Sequence, residues 1–260
     1  MMTIRLIDMI VFSPEKPLSL QSYVGKFLWF LIPIVKCDLN YPIILDLVSA
    51  GIKLLLNHWI YRWLLICEPS DSYARMTMFY LFICTSLYTF DMQSALIRLV
   101  TRNNYTLLSY NNFPFLSRSL REFWGYRYNR IVGSLLKESV FEPVRRSFSF
   151  SPTIAALTSF TLSGLLHAHI AVAVFSASSP LPALTFFLLQ GAVCCAETVL
   201  SINLPKPIGI AVTHLFLLVT APLYVGLFIR AGPNYFALNP PPLFNAKWLP
   251  QLPLPNFCPK

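Results

Sequence analysis

The sequence predicts an all-α, polytopic membrane protein with about 5–7 transmembrane helices and one amphipathic interfacial or re-entrant helix. Hydrophobic residues make up 55% of the 260-residue chain and charged residues only 12%. A soluble domain has about 25% charged residues, so this much apolar surface cannot all be buried in one soluble core. In addition, several apolar runs reach the length of about 20 residues that a helix needs to cross a bilayer.

The net charge of +9 is distributed in the segments between the apolar runs. Cationic loops of a membrane protein face the anionic cytosolic leaflet or an anionic cofactor, and this explains the charge better than nucleic acid does. The six cysteines include no CxxC pair, so we expect neither a disulfide framework nor a metal site.

The N-terminal half contains segments whose structure stays open. Residues 24–35 are apolar but short, and they form either half of a kinked span or an interfacial segment. Residues 41–67 are long enough to span but contain Asp46 and Lys53, which share a helix face because they lie seven residues apart. This is either one helix with inward polar groups or a short span followed by an interfacial helix. Residues 76–101 predict a further span.

Three clearer spans follow, at residues 153–175, 181–202 and 208–229. The first carries His167 and His169, the second Glu197 and the third His214. Ionisable side chains at membrane depth are costly and usually have a function. Two residues on a helix are about 200° apart, so His167 and His169 cannot point into the same site. The tail, residues 231–260, is rich in proline and should be extended and outside the bilayer. We expect one domain, residues 1–260.

Residues 102–151 form the long basic segment between the spans, and the positive-inside rule places it in the cytosol. Ser119 and Glu122 fit a capping box, which predicts a helix from about Leu120. Its apolar residues then fall on one face, which indicates an interfacial or re-entrant helix. These residues are Leu120, Phe123, Trp124, Tyr128, Ile131 and Leu135. Asn129 is either a buried polar partner or a solvated side chain. The arginines either form a solvated surface or bind a phosphate ligand.

Three short motifs follow one another from this segment into the first histidine-bearing span. They contain Phe123, Trp124, Gly125, Arg127 and Asn129; then Val140, Glu142, Pro143, Val144 and Arg145; then Ser163, Gly164, Leu165 and His167. In this order they resemble the membrane-bound O-acyltransferase family, and more narrowly its wax-synthase-like branch. Tyr126 and Tyr128 depart from that branch, which often has Arg and Trp there.

The resemblance implies acyl transfer from an acyl-CoA cosubstrate, acetyl-CoA or fatty acyl-CoA, to the hydroxyl of a hydrophobic alcohol. The family's catalytic histidine corresponds to His167 and its asparagine to Asn129. A neutral imidazole suits a general base near pH 7. The candidates for contacting CoA are Trp124, Arg127, Arg130, Arg145 and Arg146. No bound cofactor is implied.

Two other functions remain as alternatives. A transporter would use the membrane histidines with Glu197 and Asp46 as a proton relay or solute site, although no paired halves are visible. A non-catalytic or truncated relative is the second alternative. The acceptor is either a terpenoid-type metabolite or a long-chain alcohol, and the compact chain slightly favours transfer of a small acyl group. We expect a multi-pass protein of the endoplasmic reticulum.

Overall fold

The computed structural model describes residues 32–66, 76–77, 80, 88–147, 151–174, 179–230 and 250–256. Within these ranges the chain is mostly helical. Its elements in chain order are β1 (Ile34–Lys36), α1 (Ile44–Ile66), α2 (Tyr88–Val100), β2 (Tyr105–Leu107), α3 (Leu120–Glu122), α4 (Arg130–Leu136), α5 (Glu142–Ser147), α6 (Pro152–Ala173), α7 (Leu181–Val199) and α8 (Lys206–Arg230).

Helices α6, α7 and α8 correspond to the three clearer predicted spans. In the part of the chain that the structure describes, these three are long and apolar enough to cross a membrane. The larger number of spans stays a prediction, because most of residues 24–35 and much of 76–101 lie outside the described ranges.

Helix α1 is one continuous helix whose polar groups face α2, as the first of the two alternatives for residues 41–67 predicted. Asp46 binds the guanidinium of Arg98 at 2.5 Å, and Lys53 pairs with Asp91 at 2.6 Å. Two apolar helices that also carry charge are therefore joined through complementary side chains on their shared face.

A two-stranded antiparallel sheet, which the sequence did not predict, lies beside this helix pair. Strand β1 pairs with β2 so that Val35 lies opposite Thr106. Each strand has only three residues, too few for a period-two pattern to stand out in the sequence. Within the described residues, the end of segment 24–35 is therefore a strand and not part of a span.

Helices α6 and α7 pack closely because glycine lies at both contact points. A Cβ atom on Gly164 would lie 3.2 Å from Cβ of Phe187, and one on Gly191 would lie 2.8 Å from Cβ of Phe160. Small residues allow backbones to approach in this way where the hydrophobic effect supplies no driving force.

The basic segment begins its helix at Leu120, and the predicted capping interaction is present. The hydroxyl of Ser119 accepts from the amide of Glu122 at 3.0 Å, as a capping box requires. The carboxylate of Glu122, however, accepts from the amide of Arg118 at 2.8 Å, one residue before the cap. The prediction of one continuous helix is wrong, however. A wide π-helical turn, Phe123–Arg127, follows α3, and the helix then breaks at Tyr128, whose ψ is 135°.

The break arises at Asn129, which adopts a left-handed conformation with φ 44° and starts α4. Asparagine tolerates this region better than most residues. The predicted apolar face is preserved across the break, because its members are buried or packed against the core.

The described part of the tail, residues 250–256, has no helix or strand and lies against α1. The indole of Trp59 donates to the carbonyl of Pro253 at 2.8 Å, and Arg62 donates to the carbonyl of Leu252 at 3.0 Å. The prediction of an extended tail agrees with this stretch, while residues 231–249 lie outside the described ranges.

Candidate active site

His167 lies in α6 and is partly buried between aromatic rings. Its imidazole stacks on Phe187 with ring centroids 4.2 Å apart and meets the edge of Tyr224 at 5.3 Å. Nδ1 lies 2.8 Å from the carbonyl oxygen of Ser163. A carbonyl can only accept a hydrogen bond, so Nδ1 carries the proton and Nε2 keeps a basic lone pair.

The other histidines have different surroundings. His169 is exposed on another face of α6, as the 200° separation from His167 predicted. His214 in α8 has the same tautomer as His167, because its Nδ1 donates to the carbonyl of Ile210 at 2.8 Å. Its ring lies beside Phe115 and Tyr80 and not among the contacts of His167.

A small apolar cavity adjoins this site. Its volume is about 40 Å³. The walls come from the π turn, from α7 and from α8, and Tyr224 both lines the cavity and touches the ring of His167. The lining residues are Tyr80, Phe123, Trp124, Tyr128, Phe186, Leu217, Ala221, Tyr224 and Val225.

Gln190 connects three of the elements around the cavity and was not singled out from the sequence. It is fully buried in the middle of α7. Its side-chain oxygen accepts from the indole of Trp124 at 3.2 Å, and its amide donates to the hydroxyl of Thr220 at 2.9 Å. The available signal was an amide inside an apolar span, a costly placement unless its hydrogen bonds are satisfied.

Asn129 caps the N-terminus of α4 in this structure. Its side-chain oxygen accepts from the amide of Val132 at 3.3 Å, which caps α4, and its own amide donates to the side chain of Asn111 at 2.9 Å. Asn129 is not among the residues that line the cavity or contact the ring of His167. Its predicted role in catalysis stays a prediction.

Comparison with known proteins finds a family match over the segment that carries His167. Residues 109–189, which carry all three motifs as well as His167 and Trp124, match the model of the membrane bound O-acyl transferase family. This region of the chain is therefore similar to that family. The resemblance noted in the sequence is therefore confirmed.

Several plant acyltransferases are similar to the chain, in agreement with the wax-synthase-like resemblance. It is 33% identical over 121 residues to acyl-CoA–sterol O-acyltransferase 1 of Arabidopsis thaliana, a match that covers 42% of this chain and 35% of that protein. It is 37% identical over 124 residues to probable long-chain-alcohol O-fatty-acyltransferase 2 of the same plant, with the same coverage. The long-chain-alcohol O-fatty-acyltransferase of Simmondsia chinensis is 28% identical over 186 residues, 63% of this chain and 53% of that protein.

These matches span about a third to a half of the relatives' own length: 35% for the two Arabidopsis proteins and 53% for the Simmondsia protein. They show that part of the chain is similar to these acyltransferases. Activity and substrates need a separate argument from the site.

The arginines predicted to contact CoA have contacts of their own in this structure. Arg127 pairs with Glu122 at 2.7 Å and donates to the carbonyl of Asn112 at 3.1 Å. Arg146 pairs with Glu142 at 2.9 Å. Arg145 lies over the ring of Phe141, with its guanidinium carbon 5.9 Å from the ring centroid.

Arg130 and Trp124, the other two residues predicted to contact CoA, lie in different surroundings. Arg130 is partly buried at the start of α4. Trp124 packs inside the aromatic cluster and against the cavity, so it faces the apolar interior. These surroundings do not suit a phosphate, and the predicted contact of Trp124 with CoA stays a prediction.

Proposed function

We propose that this protein transfers an acyl group from acyl-CoA to the hydroxyl of a hydrophobic alcohol, with His167 as the general base. The observation that carries the proposal is the hydrogen bond from Nδ1 of His167 to the carbonyl of Ser163, at 2.8 Å inside a membrane-spanning helix. It orients the ring and leaves Nε2 as the basic nitrogen. Similarity to the O-acyl transferase family supplies the reaction class.

In the proposed reaction, Nε2 accepts the proton of the alcohol as its oxygen forms a bond to the thioester carbonyl carbon. The carbon–sulfur bond then breaks, and the imidazolium returns the proton to the departing sulfur of CoA. The products are an ester and free CoA. A positioned imidazole contributes about 10²–10⁴-fold to such a step.

The names of the relatives guide the choice of substrates. They specify long-chain alcohols or a sterol as acceptor, and a fatty acyl group or an acyl-CoA as donor. We propose the same classes here, a fatty acyl-CoA and a long-chain alcohol or sterol-like alcohol. The acyl-CoA would arrive from the cytosol, at the face where the basic segment lies, and the endoplasmic reticulum is the proposed location.

Two acidic residues that a transporter would need are already engaged. Asp46 accepts from Arg98 and from the hydroxyl of Tyr41 at 2.9 Å. Glu197 accepts two backbone amides of α3. These contacts favour structural roles for both carboxylates and give no support to a proton relay.

The test is CoA release by membranes that contain the full chain, with acetyl-CoA and palmitoyl-CoA offered separately against a panel of hydrophobic alcohols. We expect turnover that His167→Ala reduces by about 10²-fold or more. His169→Ala is the matched control, because it removes an exposed imidazole from the same helix and should leave turnover close to that of the wild type.

Persistent turnover in His167→Ala, with normal membrane insertion, would exclude His167 as the base. Absence of turnover in the wild type with both donors would favour the non-catalytic alternative.

A further inference from the structure

The connection between α7 and α8 exposes apolar side chains. Every residue from 198 to 208 is exposed, and residues 200–205 contain no helix or strand. Loops are usually built from polar residues and from glycine and proline. A group of exposed apolar side chains instead marks a surface that contacts a partner or a membrane. Four such side chains, 41–69% exposed, are Val199, Leu200, Ile202 and Leu204.

The depth of this connection in the bilayer is limited from two directions. Its backbone lacks the hydrogen bonds of a helix, and the hydrocarbon layer does not tolerate irregular backbone that is exposed to lipid. Its apolar side chains, in contrast, gain free energy by leaving water. Both conditions are met when the backbone lies at the level of the lipid headgroups and the side chains reach the acyl chains.

Three cations converge on this connection from α3 and α8. The start of α8 touches the chain just before α3, since a Cβ atom on Gly209 would lie 2.6 Å from the carbonyl oxygen of Arg118. Lys206 precedes Gly209 by three residues, which is about 5 Å of helix. Arg121 is held at the end of α7, because its amide donates to Glu197 at 2.9 Å. The side chains of all three cations are exposed.

These three cations lack a counterion within the part of the chain that the structure describes. The side chains of Arg118, Arg121 and Lys206 form no ion pair and no hydrogen bond there. The acids of the same elements are engaged elsewhere. Both oxygens of Glu197 accept backbone amides, and Glu122 is already in an ion pair. The positive charge is therefore available to an anion from outside the protein.

We propose that the junction patch, formed by these cations and apolar side chains, binds an anionic phospholipid of the leaflet on the side of the basic segment. The cations contact the phosphate and the charged headgroup, and the apolar side chains contact the upper part of the acyl chains. The proposal goes beyond acyl transfer and does not depend on it. The junction patch consists of Arg118, Arg121, Lys206, Val199, Leu200, Ile202 and Leu204.

A phospholipid fits the junction patch better than the phosphates of a soluble nucleotide do. Only a lipid brings negative charge and hydrocarbon to the same place, and the patch presents cations beside exposed apolar side chains. An anionic lipid also fits better than phosphatidylcholine, whose choline would lie among the cations. Each Lys or Arg near an anionic membrane surface contributes a favourable electrostatic interaction.

The experiment measures dissociation constants by native mass spectrometry of the full chain in a neutral detergent. The probes are phosphatidylserine, phosphatidylcholine with the same acyl chains, and free CoA. The variants are Arg121→Gln and the triple variant Arg118→Gln, Arg121→Gln, Lys206→Gln. Lys137→Gln is the control, because it removes the same charge from an exposed position in a different turn, Lys137–Phe141, which packs against α6.

We expect the wild type to bind phosphatidylserine at least about tenfold more tightly than phosphatidylcholine. Arg121→Gln should weaken the binding of phosphatidylserine about fivefold, and the triple variant about 10²-fold. Binding of phosphatidylcholine should stay unchanged in both, and Lys137→Gln should bind both lipids as the wild type does. Because the replaced side chains are exposed, all variants should unfold at the wild-type temperature when no lipid is added.

Three results would overturn the proposal. Equal affinity of the wild type for the two lipids would show that the patch does not recognise negative charge. An equal loss in Lys137→Gln and Arg121→Gln would reduce the effect to net charge. A triple variant that loses affinity for CoA but keeps its affinity for phosphatidylserine would make the patch a site for CoA. None of these measurements uses turnover, so they stand apart from the test of the proposed acyl transfer.

Discussion

The carboxylate of Glu197 accepts a hydrogen bond from the backbone amide of Leu120 at 2.9 Å. Its second oxygen accepts from the amide of Arg121, also at 2.9 Å. The first amides of a helix have no partner within the helix, and negative charge is favourable there. One acid at the end of α7 therefore holds the start of the segment that carries Trp124 into the aromatic cluster.

Replacing Glu197 by alanine should destabilise the protein by about 1–3 kcal/mol, because two amides lose their acceptor. Glu197→Gln should fall between alanine and the wild type, since one amide oxygen remains to accept. Thermal unfolding in detergent measures both. The control is Thr198→Ala, an exposed neighbour whose loss should change stability by no more than about 0.5 kcal/mol. Equal unfolding temperatures for Glu197→Ala and this control would contradict the anchoring role.

The fully buried Arg98 should matter far more than the partly exposed Lys53, although both pair with an acid across α1 and α2. Arg98→Met leaves the carboxylate of Asp46 buried without its cation, and this should cost about 3–5 kcal/mol. Lys53→Met should cost about 0–1 kcal/mol. Chemical unfolding measures both values.

Adding Asp46→Asn to Arg98→Met should restore part of the lost stability, because it removes the unpaired charge. A double variant that is less stable than Arg98→Met would show that the charge of Asp46 is not the cause.

The capping of α4 by Asn129 can be tested separately from any catalytic role of this residue. Asn129→Ala should cost about 1–2 kcal/mol, since it removes the cap and replaces asparagine at φ 44° by alanine, which tolerates the left-handed conformation less well. Asn129→Gly should cost only a few tenths, because glycine accepts the left-handed conformation and caps well. Turnover and unfolding are measured on both variants. A stable Asn129→Gly protein without turnover would support the catalytic role, and one with full turnover would exclude it.

Glu122 should make stability sensitive to acid. Burial alone would raise the pKa of Glu122, but the amide of Arg118 and the guanidinium of Arg127 outweigh it and hold the pKa below its ordinary value of 4.5. The folded pKa is therefore depressed, so its contribution is fully present above pH 4.5 and is lost as the pH falls through the folded value.

The measurement for Glu122 is the difference in unfolding free energy between the wild type and Glu122→Gln as a function of pH. The difference should be constant near neutral pH and shrink below about pH 4.5. A difference that is independent of pH down to about pH 2 would mean that the charge of Glu122 contributes nothing.

Spans and helix starts, which depend on residues close together in the sequence, could be predicted. The three apolar runs gave α6, α7 and α8, because the length of a hydrophobic stretch is itself the condition for spanning a bilayer. The capping pattern at Ser119 located the start of α3, because the bonds of a cap join residues three apart. The order of the three motifs indicated the family.

The prediction of a continuous helix through Asn129 is wrong because apolar periodicity does not show where the backbone leaves the helix. The apolar face is preserved across the π turn and the break, so periodicity alone does not detect the interruption at Tyr128. The sequence signal at the break is Asn129, since asparagine tolerates the left-handed conformation, whereas the sequence analysis weighed it only as a buried polar partner or a solvated side chain.

The sequence by itself determined the membrane class, the three clearest spans, the start of the amphipathic segment and the family. The tertiary structure alone decided which polar groups meet: Glu197 with Leu120, Arg98 with Asp46, and Gln190 with Trp124. The last two pairs lie 52 and 66 residues apart. Hydropathy and helical periodicity act over a few residues, whereas the partner of a buried polar group is chosen by how the helices pack.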